Sequence, residues 1–200
     1  MRDSAAQAGR PSPGMWDLEP THTTIAFVGR HLGGLSRVRG VFKSYTANIH
    51  IAEKLEESTA QVSIQAASLD SGVEMRDDHL KSPDFLDVEQ FPEIRFASDR
   101  AEPSGNDRWL LHGVLTIRDV SRPVTLDVEY MGEIEDAFFK TKRSGFVATG
   151  EINREDFGMD WNMPMGLDGL LVGKTAKIEI ESEALLQPYE DPMAASGDES

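Results

Sequence analysis

The densest group of side chains able to do acid–base chemistry is Arg76-Asp77-Asp78-His79. A histidine oriented by a neighbouring carboxylate can act as a general base, and here Asp77 or Asp78 would orient His79. The same residues could instead pin a helix to the rest of the fold through charge-assisted hydrogen bonds. No Ser or Cys nucleophile is implied nearby, so we favour the structural role and assign no catalytic residue.

Metal and thiol chemistry are not indicated by the remaining residues. The chain has no Cys, which excludes disulfides, thiolate nucleophiles and Cys-ligated zinc. No pair among the five histidines has the spacing of metal ligands on one helix or strand turn; they are His22, His31, His50, His79 and His112. The sequence therefore predicts no metal site and no cofactor.

A Met-rich segment over residues 159–167 is the other unusual feature. Apolar residues occupy every second position, but Pro164 and the flanking glycines argue against a regular central strand, so we predict a loop. Unbranched Met side chains adapt to irregular apolar shapes. The segment is therefore either a lid over a flexible lipid or a plug that packs over the mouth of a barrel.

The elements that must position these residues are β-strands. Alternation of apolar and polar residues is clearest in 59–66, 124–130 and 176–183, and it indicates strands with one dry face and one wet face, as in antiparallel sheets. Less regular strands are predicted over 23–31, 38–51, 93–98, 109–117 and 145–153. Within 38–51 the apolar positions change parity near Lys43 and Ser44, as at a β-bulge.

One helical stretch interrupts these strands. Ser71 and Glu74 have the spacing of a capping box, and Ser82-Pro83-Asp84 is typical of a second helix start. We therefore predict one or two short helices in a crossover at 71–88. About eight antiparallel strands remove their edges most simply by closing, so the predicted fold is all-β, a closed antiparallel eight-stranded β-barrel.

Length and charge limit the function classes further. A chain of 200 residues fits a single domain, and its net charge of -15 argues against nucleic acid or an anionic membrane surface as the main partner. We find no apolar stretch long enough to span a membrane and no secretory signal, which predicts a cytoplasmic protein. Polar ends predict disordered tails over 1–14 and 187–200, the second one acidic, around a barrel domain at 15–186.

Five segments taken in order resemble the YceI-like family. The central one reads Arg76-Asp77-Asp78-His79-Leu80 and continues to Asp84-Phe85, similar to that family's Arg-Asp-x-His-Leu and Asp-Phe signature. The others lie at 16–42, 91–98, 113–124 and 152–158, the last containing Arg154-Glu155-Asp156-Phe157-Gly158. Together they cover residues from about 16 to 185.

The resemblance implies a lipocalin-like barrel whose cavity binds a polyisoprenoid chain or an isoprenoid quinone, often as a dimer. It also implies no established catalytic residues. We therefore predict non-enzymatic binding, carriage or storage of an isoprenoid lipid, such as a polyprenyl lipid. The alternatives are an enzyme acting on a small hydrophobic substrate with His79 as general base, and a barrel filled with side chains whose acidic surface binds a basic partner.

Candidate ligand contacts follow from side-chain size and from placement on a strand or in the Met-rich loop. The residues predicted to line the cavity are Phe27, Phe42, Phe85, Phe96, Leu115, Phe146, Trp161, Met163 and Met165. The residues predicted to meet a polar head group are His31, Arg76 and His79. Each large apolar residue could equally be a plain member of the core.

Overall fold

The computed structural model of the protein describes residues 9–165 and 169–189. Within them the strands are β1 (Gly14–Leu18), β2 (Thr24–His31), β3 (Ser36–Phe42), β4 (Tyr45–Ile51), β5 (Thr59–Gln65), β6 (Leu69–Asp70), β7 (Glu93–Gly105), β8 (Arg108–Ile117), β9 (Val120–Asp136), β10 (Thr141–Asn153), β11 (Pro164–Met165), β12 (Gly169–Leu170) and β13 (Val172–Leu186). The helices are α1 (Glu74–Lys81) and the short 3-10 turns Pro20–His22, Leu55–Glu57, Ala66–Ser68 and Arg154–Phe157.

Eight of these strands form a closed antiparallel ring. Their order is β1-β4-β5-β7-β8-β9-β10-β13, and the ring closes where Trp16 of β1 pairs with Leu186 of β13. Strands β2, β3 and β6 extend the sheet from β13 beyond the ring, while β11 and β12 form a separate small hairpin. The predicted all-β, closed eight-stranded barrel is confirmed.

The β-bulge predicted near Lys43 and Ser44 within one strand is wrong, because the chain breaks there into two strands. Strand β3 ends at Phe42 beside β2, and β4 begins at Tyr45 beside β5 and then β1. Phe42 and Ile49 both face the barrel interior although one number is even and the other odd. The two intervening residues therefore reset the alternation and carry the chain from the added strands into the ring.

The crossover between β6 and β7 holds one α-helix, and its start differs from the prediction. The residue before the helix is Val73, which makes no side-chain capping bond, so the capping box predicted at Ser71 is wrong. Ser71 instead donates its backbone N–H to the Asp77 carboxylate at 2.9 Å, and its hydroxyl oxygen accepts from Arg76 Nε at 2.7 Å. These bonds tie the first turn of α1 to the chain that enters it.

No second helix forms in the crossover, where residues 82–90 make bends and turns. The helix start predicted at Ser82-Pro83-Asp84 is wrong, because residues 83–86 form only a turn; the Ser82 hydroxyl donates to the carbonyl of His79 at 2.7 Å and accepts from the Asp84 N–H at 3.3 Å. Ser82 thus ends α1 and does not begin another helix. Of the one or two helices predicted, the described chain has one.

Residues near both ends of the described chain contact the rest of the protein. Pro11 is buried, and the backbone N–H and hydroxyl of Ser12 each donate to Glu133 at 2.8 Å, so this part of the N-terminal segment packs on the barrel. At the other end the ring of Tyr189 lies 6.0 Å from that of Phe139, centroid to centroid. Disorder over 1–8 and 190–200 stays a prediction, because those residues lie outside the described part of the chain.

Candidate functional site

A cavity of about 330 Å³ runs through the interior of the barrel. That volume lies within the usual range for small-ligand sites, roughly 300–1,000 Å³. Its walls are almost entirely apolar; they include Ile25, Phe27, Phe42, Ile49, Val62, Phe85, Phe96, Trp109, Leu111, Leu115, Leu126, Phe146, Ala148, Ile152 and Ile178. The alternative of a barrel filled with side chains does not fit this cavity.

Strand register explains why these walls are continuous. Phe96 of β7 is paired with Val62 of β5 on one side and with Leu115 of β8 on the other. Residues directly opposite on neighbouring strands point to the same face, so one inward residue places the whole row inward. The alternation visible in each separate strand thus becomes a closed apolar wall once the ring forms.

The end of the cavity near the β1–β13 closure is bounded by aromatic side chains. Tyr130 and Phe146 line it with ring centroids 5.6 Å apart, and Tyr130 is buried. Burial, with a further contribution from Glu133, raises the pKa of Tyr130 to about 12. The phenol is therefore neutral at physiological pH and contributes no charge to the wall.

Beyond that aromatic layer lies a network of ion pairs around Arg143. Its Nε is 2.6 Å from Asp136, its Nη1 is 2.6 Å from Glu183, and the Glu19 carboxylate lies 3.9 Å away. Burial alone would lower the pKa of Arg143, but the hydrogen bonds to Asp136 and Glu183 outweigh it and raise the pKa. The arginine is held by three carboxylates and is stable as a charged group.

The same network contains three side chains that could in principle ligate a metal. Ligand atoms of Glu19, His22 and Glu183 lie within 4.8 Å of one another. Arg143 already donates to Glu183, and the carboxylate of Glu19 lies 2.5 Å from Nδ1 of His22. Arg143 already supplies a positive charge to these carboxylates, so we assign the group of Glu19, His22 and Glu183 no metal.

The opposite end of the cavity, beneath the crossover, contains Arg154. This residue follows directly after β10, is only 5% exposed, and lines the cavity beside the Phe85 ring, with its guanidinium carbon 5.7 Å from the ring centroid. Its Nε donates to the carbonyl of Gly173 at 3.0 Å and its Nη1 to that of Met159. Among the described residues its buried Nη2 has no hydrogen-bond partner, and burial lowers the pKa of the group.

His79 sits at this end too, but it does not line the cavity. Its Nε2 lies 3.0 Å from the carboxylate of Asp84, and its ring packs edge-on against Trp161 and Phe85 at 4.4 and 5.0 Å between centroids. In the alternative of a general base, Asp77 or Asp78 would orient His79, but the carboxylate at His79 is that of Asp84, and Asp77 is bonded to Ser71. His79 therefore has the surroundings of a packed surface residue.

Comparison with known proteins agrees with this architecture. The family model of the YceI-like domain matches residues 16–184. The chain belongs to the YceI-like family. Among YceI-like relatives, a UPF0312 protein of Photorhabdus laumondii is 36% identical over 142 residues, which are 70% of this chain and 72% of that protein. The family predicted from the five sequence segments is confirmed.

Solved structures share the fold at lower identity. The BcnA protein of Burkholderia cenocepacia matches 84% of this YceI-like chain and 99% of its own, with a TM-score of 0.71 and 21% identity. A polyisoprenoid binding domain from Saccharophagus degradans matches 86% of this chain and 98% of its own, with a TM-score of 0.62 and 13% identity. At these identities the likeness bears on the fold.

The YceI-like cavity brings together half of the residues that the sequence singled out. Those that line it are Phe27, Phe42, Phe85, Phe96, Leu115 and Phe146. Those whose described side chains do not line it are His31, Arg76, His79, Trp161 and Met163. Trp161 packs on His79 and Met163 is exposed, while the side chain of Met165 lies outside the described part of the chain.

Sequence reasoning missed other lining residues, among them Arg154, Met159 and Tyr130. Tyr130 was visible as an apolar-face position of the strand 124–130, so alternation could have found it. Met159 opens the Met-rich loop and packs inward at the crossover end. Arg154 gave no alternation signal, because a charged residue just after a strand normally points to solvent, although it belongs to the segment at 152–158 that resembles the family.

Proposed function

We propose that this YceI-like protein binds an isoprenoid lipid, a polyprenyl chain or an isoprenoid quinone, in the barrel cavity and carries or stores it without catalysis. The apolar cavity through the barrel is the observation that carries the proposal. Each methylene group buried against such walls contributes on the order of 0.8 kcal/mol before the cost of ordering the chain. A hydrocarbon chain can therefore bind here with few polar contacts.

The solved fold relative from Saccharophagus degradans supports the same class of ligand, since it is a polyisoprenoid binding domain. The described part of this chain also contains no helix that is long and apolar enough to cross a membrane. A cytoplasmic location and a homodimer stay predictions.

The position of His79 does not favour the enzymatic alternative. A general base must reach the proton that it removes, and His79 is turned to Asp84 and Trp161 outside the cavity lining. The residues that do line the cavity are nearly all hydrocarbon or aromatic groups without acid–base chemistry. Binding is the activity that such walls support.

Extraction of the purified full-length protein with organic solvent, followed by mass spectrometry, tests the proposal. We expect an isoprenoid lipid in the extract, and we expect the extracted protein to bind added geranylgeraniol or a prenyl quinone in a calorimetric titration. A protein that yields no lipid and binds neither compound would overturn the proposal.

A pair of variants on β10 locates the binding in the cavity. Ala148 is buried and lines the cavity, whereas its neighbour Val147 points to the other face of the sheet. Ala148→Phe fills space that the ligand needs and should weaken geranylgeraniol binding by about tenfold or more, while Val147→Phe should leave it unchanged. Circular dichroism checks that both variants retain the fold.

A further inference from the structure

The crossover end of the cavity contains a buried charge that the apolar walls do not explain. Arginine carries five N–H groups and stays protonated in proteins. In Arg154 the Nε donates to Gly173 and Nη1 to Met159, both of them backbone carbonyls with no net charge. Within residues 9–165 and 169–189, Nη2 is buried and has no acceptor.

Nearby carboxylates do not neutralise this guanidinium. Glu155 and Asp160 are close enough to oppose the lowering of its pKa, but neither forms an ion pair with Arg154 in the described part of the chain. Glu155 pairs with Lys174 at 2.9 Å, and Asp160 is exposed. A cation buried without a counter-ion is unfavourable, and an anion that enters the same cavity relieves it.

We propose that Arg154 binds the acidic head group of an amphiphile, a phosphate or a carboxylate, whose hydrocarbon chain occupies the cavity. This inference rests on the proposed lipid binding and adds the chemistry of the head group. The amphiphile would place its acidic end at the crossover and its tail toward Tyr130 and Phe146. Nη2 then donates to an anionic oxygen, the strongest type of hydrogen bond open to a guanidinium.

The residues around Arg154 suit this role. The Phe85 ring and the Gly173 and Met159 carbonyls fix the plane of the guanidinium from several sides. A side chain already held in one orientation loses little freedom when it binds a ligand. The candidates predicted from the sequence for the head group are engaged elsewhere, since Arg76 bonds to Ser71 and His79 to Asp84.

Matched ligands of equal chain length test the proposal on the full-length protein after lipid extraction. The first pair is geranylgeranyl phosphate and geranylgeraniol, and the second is palmitate and palmityl alcohol. We expect each acid to bind about tenfold or more tightly than its alcohol, as a charge-assisted hydrogen bond provides. Comparison of the two acids identifies phosphate or carboxylate as the preferred head.

Variants separate this role from a structural one. Arg154→Met should abolish the preference for acid over alcohol while alcohol binding persists, and Arg154→Lys should keep part of the preference through its charge. Arg118 provides a matched control, because it also donates to a nearby carbonyl, that of Gly158, and lies over a ring, that of Phe91, yet does not line the cavity. Arg118→Met should leave the preference intact.

Each outcome decides the question. Equal binding of acid and alcohol by the unmodified protein, or a preference that survives in Arg154→Met, would overturn the head-group assignment and leave the lipid-binding proposal standing. Binding of none of the four compounds would overturn the head-group assignment, and the lipid-binding proposal falls with it only when extraction also yields no lipid and a prenyl quinone does not bind. Should Arg154→Met fail to fold, the unmodified protein still reports through the guanidinium NMR signal of Arg154, which should shift with the acids and not with the alcohols.

Discussion

Arg143 and Arg154 lie at the two ends of strand β10, separated by roughly 35 Å of extended chain. Both side chains are largely buried, the first 13% exposed as a side chain and the second 5% exposed as a residue. Arg143 has Asp136 and Glu183 at 2.6 Å, whereas Arg154 has only two backbone carbonyls. The pKa of the first is raised and that of the second is lowered.

The difference shows that the two ends of the barrel serve different purposes. Arg143 is paired with carboxylates of the protein itself, and its two short bonds join β10 to β9 and β13 beside the closure of the ring. The positive charge of Arg154 is not paired with any carboxylate among the described residues. A buried charge that forms ion pairs within its own chain helps to hold the fold together. A buried charge without an ion pair at the wall of a cavity is suited to bind a ligand of opposite charge.

The largest effect in this comparison should come from Arg143→Met. Removing the cation leaves Asp136, Glu183 and Glu19 close together, so we expect the free energy of unfolding to fall by about 3 kcal/mol, the lower end for a buried pair because Glu183 is partly exposed. Urea denaturation at neutral pH measures this loss in the free energy of unfolding.

The exposed pair of Arg108 with Asp127 provides the control, and Arg108→Met should not change stability measurably. Equal stability of both variants would contradict the prediction.

A smaller, pH-dependent effect is expected from Glu133→Gln at the same end. Burial would raise the pKa of Glu133, but Lys142 at 2.9 Å and two bonds from Ser12 lower it below its ordinary value of 4.5. The stabilisation is therefore complete above pH 4.5 and disappears as the pH falls through the folded-state pKa. At neutral pH the variant should lose about 1–2 kcal/mol.

Urea denaturation at neutral pH and near pH 3 would follow this loss. The gap between the unmodified protein and Glu133→Gln should narrow as the pH falls through the folded-state pKa of Glu133, because the native carboxylate then takes up a proton. Glu57, in an exposed pair with Lys54, gives a control variant Glu57→Gln with no gap at either pH. A gap that is constant with pH would show that Glu133 acts through packing and not through charge.

The smallest change in stability should come from Arg154→Met in the lipid-free protein. The substitution removes two hydrogen bonds to carbonyls but also a buried cation without a counter-ion, and the two effects oppose each other. We expect the free energy of unfolding to stay within about 1 kcal/mol of the unmodified protein. A loss as large as that of Arg143→Met would mean that the protein itself compensates this charge.

Much of this fold could be predicted because the barrel repeats a local rule. Alternation placed Phe27 and Leu115 on apolar faces that turn inward, and the parity change after Phe42, interpreted as a β-bulge, falls at the break between β3 and β4. Such signals are carried by neighbouring residues in the sequence, so a single chain shows them.

The polar part of the site could not be predicted in the same way. The environment of Arg154 comes from Phe85 and Gly173, which reach it only after the ring has closed. The partner of His79 is Asp84, beyond the end of the helix, and not the adjacent aspartates. Spacing rules describe contacts within one element, and these contacts join separate ones.

The three strands added to the ring leave part of a sheet edge unpaired. Strand β6 covers only Val41 and Phe42 of β3, so within the described residues Ser36–Gly40 has no strand on that side. An unpaired edge can recruit a strand from another chain unless charged side chains oppose it. Arg37 and Arg39 lie on this stretch, both exposed, and although Arg39 also pairs with Glu179 at 3.5 Å, a second chain that joined the sheet there would have to accommodate both charged side chains.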